Sequence, residues 1–133
     1  MVVIKMNIFV LEDNPNRVDW FRRRFISPDT ITFASTYDEA IAHYGLSPYN
    51  LIMVDHDLLG WRENKRNPLP HDGYSFCKWL IGTKDLSATK IIIHSENKVW
   101  APKIYGLLLK NRVSVMAIPF SLLEQTQYLV ELV

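Results

Sequence analysis

Short apolar runs alternate along this chain with segments that carry the start signals of helices. The alternation constrains the fold more than any other feature, because strands joined by helical crossovers form a parallel sheet. Leu51–Val54 is apolar throughout, as expected for a central strand covered on both faces. We predict an α/β fold, a doubly wound parallel sheet of five strands, over residues 5–11, 31–33, 51–54, 90–93 and 113–117.

Capping residues mark where the helices begin. Asn14 before Pro15 predicts the start of the first helix. The capping-box spacing, a hydroxyl residue followed three positions later by glutamate, predicts the start of the second helix and of the last. Thr36 with Glu39 predicts the start of the second helix, which Gly45 closes. The third helix is predicted over residues 74–81 with closure at Gly82, and the fourth over residues 102–110. Ser121 with Glu124 predicts the start of the last helix, whose apolar side reaches Leu132.

Composition and charge narrow the class of protein. At 133 residues the chain fits one compact domain, residues 1–133. The net charge of +1 gives no overall field toward nucleic acid or an anionic membrane, and no apolar run approaches the roughly 20 residues that span a bilayer. Cys77 is the single cysteine, which favours a reducing compartment. We expect a cytoplasmic protein without a membrane segment and without strong nucleic-acid binding.

Polar residues follow three of the predicted strands, at the edge where such sheets bind ligands. Several carboxylates at one edge raise each other's pKa values unless a cation neutralises them. Oxygen ligands suit Mg²⁺, Mn²⁺ or Ca²⁺, so the sequence predicts a divalent-metal site. The polar residues are Glu12 and Asp13 after the first strand, Asp55, His56 and Asp57 after the third, and His94, Ser95, Glu96 and Asn97 after the fourth.

The carboxylates also have a purely structural interpretation. Glu12 and Asp13 would favour the positive end of the first helix. Asp55 and Asp57 would then act only as turn residues.

The histidines, the serine and the asparagine leave a similar choice open. His56 lies between two aspartates, and His94 follows the neighbouring strand, which favours a catalytic or phosphate-binding role for both. Ser95 and Asn97 would either start the following helix or bond a phosphate oxygen.

The polar stretch from Leu58 to Asp72 is longer than the usual strand-to-helix connection of about 2 to 6 residues. His71, at its end, is a further candidate site residue. Its basic residues would meet an anionic substrate or a partner, or serve only solubility; they are Arg62, Lys65 and Arg66.

Five motifs in this order resemble the receiver domain of response regulators over nearly the whole chain: Glu12-Asp13, residues 51–55, Asp72-Gly73, residues 91–95, and residues 118–120. The resemblance implies a flavodoxin-like or CheY-like fold with strand order 2-1-3-4-5. It also implies that Glu12, Asp13 and Asp55 bind Mg²⁺, that Asp55 is phosphorylated, and that Ser95 is the hydroxyl residue that ends the fourth strand. Ile118 stands where the family has a lysine, so the salt link that stabilises the phosphorylated switch is missing.

Two further motifs resemble a divergent branch, the cyclic-phosphate-processing receiver domains. They are residues 55–58 and His94-Ser95 followed by Asn97. This resemblance implies a metal-dependent phosphoesterase that acts, with Mg²⁺ or Mn²⁺, on a cyclic phosphate in a small molecule or at an RNA end. The roles that we assign are catalysis for Asp55, His56 and His94, phosphate binding for Ser95, Asn97 and Asp57, and metal binding for Glu12, Asp13 and Asp55.

Two other functions are compatible with the same residues. One is an atypical response-regulator receiver that is phosphorylated on Asp55. The other is a non-catalytic module that binds a protein partner through Trp61, Trp100 and the basic stretch.

Overall fold

The computed structural model describes residues 6–25, 30–46, 48–58 and 72–125. Five strands alternate with five helices in this part of the chain. The strands are Asn7–Leu11 (β1), Thr30–Ala34 (β2), Leu51–Val54 (β3), Lys90–Ile93 (β4) and Ser114–Ala117 (β5). The helices are Pro15–Arg24 (α1), Tyr37–His43 (α2), Gly73–Thr83 (α3), Trp100–Lys110 (α4) and Phe120–Leu123 (α5).

All five strands form one parallel sheet in the order β2-β1-β3-β4-β5, which confirms the predicted fold and strand order. The register brings the strand ends level with each other. Leu11 pairs with Val54, and Val54 pairs with Ile93. The residues that directly follow β1, β3 and β4 therefore lie side by side at one edge of the sheet.

The core has two layers, because helices cover both faces of the sheet. Leu51–Val54 is completely buried, as the apolar run predicts for a central strand. Its alternate side chains enter opposite layers, since Ile52 packs in the cluster that contains Phe76 of α3, and Met53 packs in the cluster that contains Phe21 of α1. Helices α2, α3 and α4 cover one face, and α1 and α5 cover the other.

The first two helices begin as predicted. The Asn14 side chain accepts hydrogen bonds at the start of α1, and the Thr36 hydroxyl accepts one from the Glu39 backbone N–H at 3.1 Å. The return half of the capping box differs. The Glu39 carboxylate accepts hydrogen bonds from the backbone N–H and the hydroxyl of Ser35, at 3.1 and 2.6 Å. In a capping box the glutamate side chain would accept the backbone N–H of Thr36, whereas here it binds Ser35, one position earlier.

Other helix boundaries also differ from the prediction, and α3 begins at Gly73, one position before the predicted start. Helix α3 continues through Gly82 to Thr83, since a glycine inside a helix costs only about 1 kcal/mol. Helix α4 begins at Trp100, two positions earlier than predicted. The predicted cap at Ser121 is wrong, because α5 begins at Phe120 and the Ser121 backbone N–H donates to Glu96 instead, at 2.7 Å.

Several predictions fall on residues outside the described ranges. They concern the candidate site residue His71, the surface residue Trp61, the basic residues Arg62, Lys65 and Arg66, and the apolar side of the last helix up to Leu132. None of the helices in the described ranges is both long and apolar enough to cross a membrane.

Gly73 is required by a close approach of two backbones. A Cβ atom at this position would lie 2.1 Å from the carbonyl oxygen of Asp55 and 2.8 Å from the Cα atom of His56. We expect Gly73→Ala to lower the free energy of unfolding by about 1 to 3 kcal/mol or more, because backbone atoms must shift. Gly82→Ala is the matched control, since nothing lies within 4 Å of the added atom and alanine favours a helix. Equal stability of the two variants in urea denaturation would contradict this packing.

Candidate metal site and its surroundings

Three side chains converge where β1, β3 and β4 end. Glu12, Asp55 and His94 each offer one ligand atom, and these atoms lie within 4.8 Å of one another. All three residues are buried. Backbone hydrogen bonds continue the sheet to this edge, since the Asp55 N–H donates to Leu11 at 3.1 Å and the His94 N–H donates to Val54 at 3.0 Å. We call Glu12, Asp55 and His94 the rim cluster.

Glu12 is held as an ionised carboxylate. Its Oε1 lies 2.9 Å from His94 Nε2. Its Oε2 accepts backbone N–H bonds from Asp13 and Asn14, at 3.0 and 3.1 Å. Burial acts to raise the pKa of Glu12, but the hydrogen bond and charge of His94, the Asn14 N–H and the charge of Arg17 together bring it below its usual value.

The pKa of Asp55 shifts in the opposite direction, upward. Burial, followed by the negative charge of Glu12, raises the pKa of Asp55 to about 8, and Asp13 adds to the rise. The charge of Arg17 and the backbone N–H of His56 oppose it without reversing it. The cluster therefore combines one stabilised carboxylate with one whose ionised form is disfavoured.

The negative charge of Glu12 beside a buried Asp55 bears on whether a cation fits the site. A divalent cation beside Asp55 would favour its ionised form, and carboxylate oxygens are the ligands that Mg²⁺ and Mn²⁺ prefer. Asp13 is half-buried next to the cluster, and its charge acts on Asp55. The residues predicted to bind metal therefore fit an oxygen-liganded divalent cation.

His94 is enclosed rather than facing solvent. The residue is 0% exposed, and its ring contacts Phe21 with the ring centroids 5.1 Å apart. Phe120 contacts the ring as well. Within the described part of the chain, Nδ1 has no hydrogen-bond partner. The sequence suggested His94 as a proton donor, but burial leaves its contact with Glu12 as the role that this arrangement supports.

His56 connects the end of β3 to the start of α3. Its backbone carbonyl accepts the Gly73 N–H at 3.1 Å, and its Nδ1 accepts the Tyr74 N–H at 3.3 Å. Its Nε2 lies 3.5 Å from the Asp72 carboxylate, and its ring stacks on Trp100 with centroids 4.8 Å apart. Burial lowers the pKa of His56 although the charge of Asp72 acts to raise it, so the neutral ring is favoured at pH 7.

Hydrogen bonds connect Asp57, Ser95 and Asn97, of which Ser95 is buried and the other two are half-buried. The Asn97 amide donates to the two carboxylate oxygens of Asp57 at 3.3 and 3.2 Å. The Asn97 backbone N–H donates to the Ser95 hydroxyl oxygen at 3.0 Å. The Asn97 side-chain oxygen also accepts the N–H groups of Val99 and Trp100 at the start of α4, so the capping role that the sequence left open is observed.

Arg17 was not among the candidates from the sequence. Its guanidinium lies 3.6 Å from Glu12 and 4.9 Å from the centre of the Phe120 ring. The available signal was its place three residues after the cap Asn14, on a helix that starts at the predicted site edge. Its contact with Phe120, distant in sequence, carried no such signal.

A cavity of about 300 Å³ adjoins the cluster on the side of β2. It runs between α1 and the end of β2, and Glu12 and Asp13 line it on the side of the rim cluster. The remaining lining residues are Pro15, Val18, Arg22, Phe33, Ala34, Ser35 and Glu39. The volume is at the lower end of the range for small-molecule sites.

Comparison with protein-family models gives one match that spans most of the chain. The model is described as a cyclic-phosphate processing receiver domain, and it matches residues 6–110. The matched range contains every residue to which a site role was assigned from the sequence.

Solved receiver domains share the fold at low sequence identity. The receiver domain of the Francisella response regulator 1452 has a TM-score of 0.61 at 22% identity, covering 95% of this chain and 92% of that one. The response regulator TrrA from Thermotoga maritima, in complex with Mg²⁺ and BeF, has a TM-score of 0.64 at 16% identity, covering 96% and 92%. A signal receiver domain of a histidine kinase from Syntrophus aciditrophicus has a TM-score of 0.59 at 20% identity, covering 86% and 79%. No curated protein sequence matches the chain.

The raised pKa of Asp55 predicts how stability depends on pH. Between about pH 4 and pH 8 the folded protein holds a proton on Asp55 that the unfolded chain releases, so the metal-free protein loses stability as the pH rises. We expect Asp55→Asn to raise the free energy of unfolding at pH 8 by about 1 to 3 kcal/mol, with little change at pH 4.

Asp19→Asn is the control for this experiment, because Asp19 is exposed on α1 and forms a surface pair with Arg23 at 3.3 Å. Chemical denaturation at several pH values, with and without Mg²⁺, measures both effects. Added Mg²⁺ should stabilise the wild type at pH 8 and leave Asp55→Asn nearly unchanged. The same pH profile for Asp55→Asn and Asp19→Asn would show that Asp55 is not strained by its surroundings.

Proposed function

This chain belongs to the family of cyclic-phosphate processing receiver domains, and we propose that it is a metal-dependent phosphoesterase that opens a cyclic phosphate. The substrate would be a cyclic nucleotide or the 2′,3′-cyclic phosphate of an RNA end. Water adds to phosphorus, the bond from phosphorus to one ring oxygen breaks, and that oxygen takes a proton. The observation that carries the proposal is the pair of buried carboxylates Glu12 and Asp55, whose ligand atoms lie within 4.8 Å of each other at the edge of the sheet.

Glu12, Asp13 and Asp55 would hold Mg²⁺ or Mn²⁺ in this proposal. A bound divalent cation supplies a positive charge that polarises a phosphoryl oxygen and lowers the pKa of water. Glu12 is suited to bind it because its hydrogen bonds already keep the carboxylate ionised. Asp13 is half-buried and directly follows Glu12, so it would complete the oxygen ligands on the solvent side.

Ser95 and Asn97 would orient the phosphate oxygens. The Ser95 oxygen accepts the Asn97 N–H, so the serine hydroxyl hydrogen can be donated elsewhere. The Asn97 amide is already held by Asp57, and both of these residues are half-buried. Preorganised donors of this kind favour a transition state in which negative charge develops.

His56 and His94 would act in different ways. His94 keeps Glu12 in place from the interior, and we assign it a positioning role. His56 is buried, and its ring is held by the Tyr74 N–H at Nδ1, by stacking on Trp100 and by Asp72 at 3.5 Å from Nε2. A neutral imidazole is too weak an acid to deliver a proton, so His56 would position the end of β3 against α3, and the leaving oxygen would take its proton from water.

The cavity beside the cluster would accommodate the organic part of the substrate. Its volume of about 300 Å³ suits a small group attached to the phosphate, and it begins at the proposed metal ligands Glu12 and Asp13. Phe33 gives it an aromatic wall, and Ser35 and Glu39 give it polar groups near the end of β2.

A panel of substrates tests the proposed reaction. The purified protein is incubated with 2′,3′-cyclic and 3′,5′-cyclic nucleotides and with an RNA oligonucleotide that ends in a 2′,3′-cyclic phosphate, each with Mg²⁺ or Mn²⁺. Phosphorus NMR distinguishes the ring from the opened monoester. We expect one class to be opened, with the rate reduced about a hundredfold or more by Asp55→Asn, because a group at the reacting centre is lost.

Asp19→Asn serves as the matched control for activity, since it removes one exposed carboxylate from the neighbouring helix. Its rate should equal that of the wild type. The absence of ring opening with every substrate and both metals would reject the enzymatic proposal. Equal rates for Asp55→Asn and the wild type would assign any activity to a contaminant.

A second candidate function is a phosphorylation switch on Asp55. The observation that favours it is the position of Asp55 at the end of β3, in a fold shared with solved receiver domains, including one in complex with Mg²⁺ and BeF. Ile118 disfavours it, because this half-buried apolar side chain stands where receiver domains supply a lysine.

Incubation with acetyl phosphate and Mg²⁺ separates the two candidates. A switch should gain one acid-stable, base-labile phosphate on Asp55, detected by intact mass, and the Asp55→Asn variant should gain none. If the wild type gains no phosphate under conditions in which it opens a cyclic substrate, the phosphorylation reading fails.

A further inference from the structure

Arg17 occupies a position that local helix stability does not explain. It lies in the first turn of α1, three residues after the cap Asn14. The start of a helix carries partial positive charge, so a cation there is disfavoured by about 0.3 to 1 kcal/mol. No acidic residue lies in this first turn to offset the cost. The reason for an arginine at this position has to come from outside the helix.

The neighbouring carboxylate does not require Arg17 either. Glu12 already has three close partners, namely His94 Nε2 at 2.9 Å and the backbone N–H groups of Asp13 and Asn14 at 3.0 and 3.1 Å. The guanidinium is 3.6 Å away, which is longer than a hydrogen bond. Its five N–H donors are therefore not committed to Glu12.

Phe120 holds the guanidinium over the edge of the sheet. The Arg17 Cζ atom lies 4.9 Å from the centre of the Phe120 ring, at the start of α5. The Arg17 side chain keeps 25% of its surface exposed, whereas the Glu12 side chain is 0% exposed. The cation thus lies on the solvent side of the carboxylate, where a ligand that approaches the cluster would meet it.

The charges at the edge of the sheet create a need for such a cation. A phosphate must approach Glu12, Asp13 and Asp55, all acidic, and one divalent cation does not neutralise three carboxylates and a phosphate together. The end of β5 offers no positive charge, because Ile118 is apolar.

We propose that Arg17 is a phosphate-binding residue of this site, donating guanidinium N–H bonds to the phosphate that the metal site receives. The proposal rests on the function proposed above for the rim cluster. The ligand class is a phosphate mono- or diester anion, and α1 supplies the cation. An arginine can engage two phosphate oxygens at once through its planar fork.

A simpler role for Arg17 is to neutralise the carboxylates without contacting the phosphate. Arg17→Gln would then also weaken phosphate binding, because the site becomes more negative, but Arg17→Lys keeps the charge and would bind phosphate as the wild type does. If the guanidinium donates to phosphate oxygens directly, lysine cannot reproduce its planar fork and recovers only part of the loss. The phosphate affinity of Arg17→Lys therefore separates the two roles.

The experiment compares Arg17→Gln and Arg17→Lys with the control Arg23→Gln. Arg23 lies on the same helix, its side chain is 69% exposed, and within the described ranges it pairs with Asp19. Calorimetry measures the affinity for Mn²⁺ alone and then for inorganic phosphate at saturating Mg²⁺. We expect Arg17→Gln to bind phosphate at least about tenfold more weakly, with its Mn²⁺ affinity equal to or above that of the wild type. Arg17→Lys should recover part of the loss, and Arg23→Gln should match the wild type.

Several outcomes would overturn the proposal. Phosphate affinity of Arg17→Gln within twofold of the wild type, or no phosphate binding by the wild type, removes Arg17 from the ligand set. An equal loss of Mn²⁺ and phosphate affinity in Arg17→Gln and in Arg17→Lys would make Arg17 a support for Glu12 instead. Thermal unfolding of each variant shows whether it is folded.

Phosphate affinity and ring-opening activity, measured on the same variants, separate this inference from the proposed reaction. Arginine-dependent phosphate binding without opening of any cyclic phosphate would reject the phosphoesterase function and retain the phosphate-binding role. Ring opening with an unchanged KM in Arg17→Gln would retain the phosphoesterase function and reject the phosphate-binding role of Arg17. If both hold, the loss in Arg17→Gln should appear mainly in KM for the cyclic substrate.

Discussion

The buried contact between Glu12 and His94 organises the functional edge of this protein. The two residues follow β1 and β4, which flank β3 on either side, and neighbouring strands in a sheet lie about 4.8 Å apart. Their side chains therefore meet across the end of β3, with Nε2 and Oε1 2.9 Å apart. Asp55 follows β3 and is only 5% exposed. Because Glu12 stays ionised, the buried Asp55 lies beside a negative charge that disfavours its own ionised form. A bound cation would remove this repulsion.

The opposite side of Asp55 is fixed by the packing of α3. Gly73 brings the backbone of this helix against Asp55 and His56, and hydrogen bonds from Gly73 and Tyr74 hold His56 in place. The loss of side-chain and backbone freedom has thus occurred on folding, before any ligand binds, as preorganised sites require. At the same edge, the residue that follows β5 is the apolar Ile118.

The strand order was implied by the resemblance to receiver domains. From apolar runs and strand-end carboxylates, which are local signals, the amino-acid sequence predicted the parallel sheet and the residues at its functional edge. It did not predict that Glu12 and His94 touch, or that the pKa values of Glu12 and Asp55 shift in opposite directions. Those properties depend on side-chain direction and burial across three strands. The prediction of a cap at Ser121 was wrong for a similar reason, since Glu96, 25 positions earlier, takes its backbone N–H. Arg17 escaped notice because Phe120, its aromatic partner, is distant in sequence.

The central claim is that negative oxygens drawn together at the ends of β1 and β3 bind a divalent cation. The most direct measurement is anomalous diffraction from a crystal grown with Mn²⁺, recorded on both sides of the manganese absorption edge. The account predicts an anomalous peak within coordination distance, about 2 to 2.5 Å, of carboxylate oxygens of Glu12 or Asp13 and of Asp55. Ordered carboxylates with no peak between them, at a Mn²⁺ concentration that fills other sites in the crystal, would contradict it.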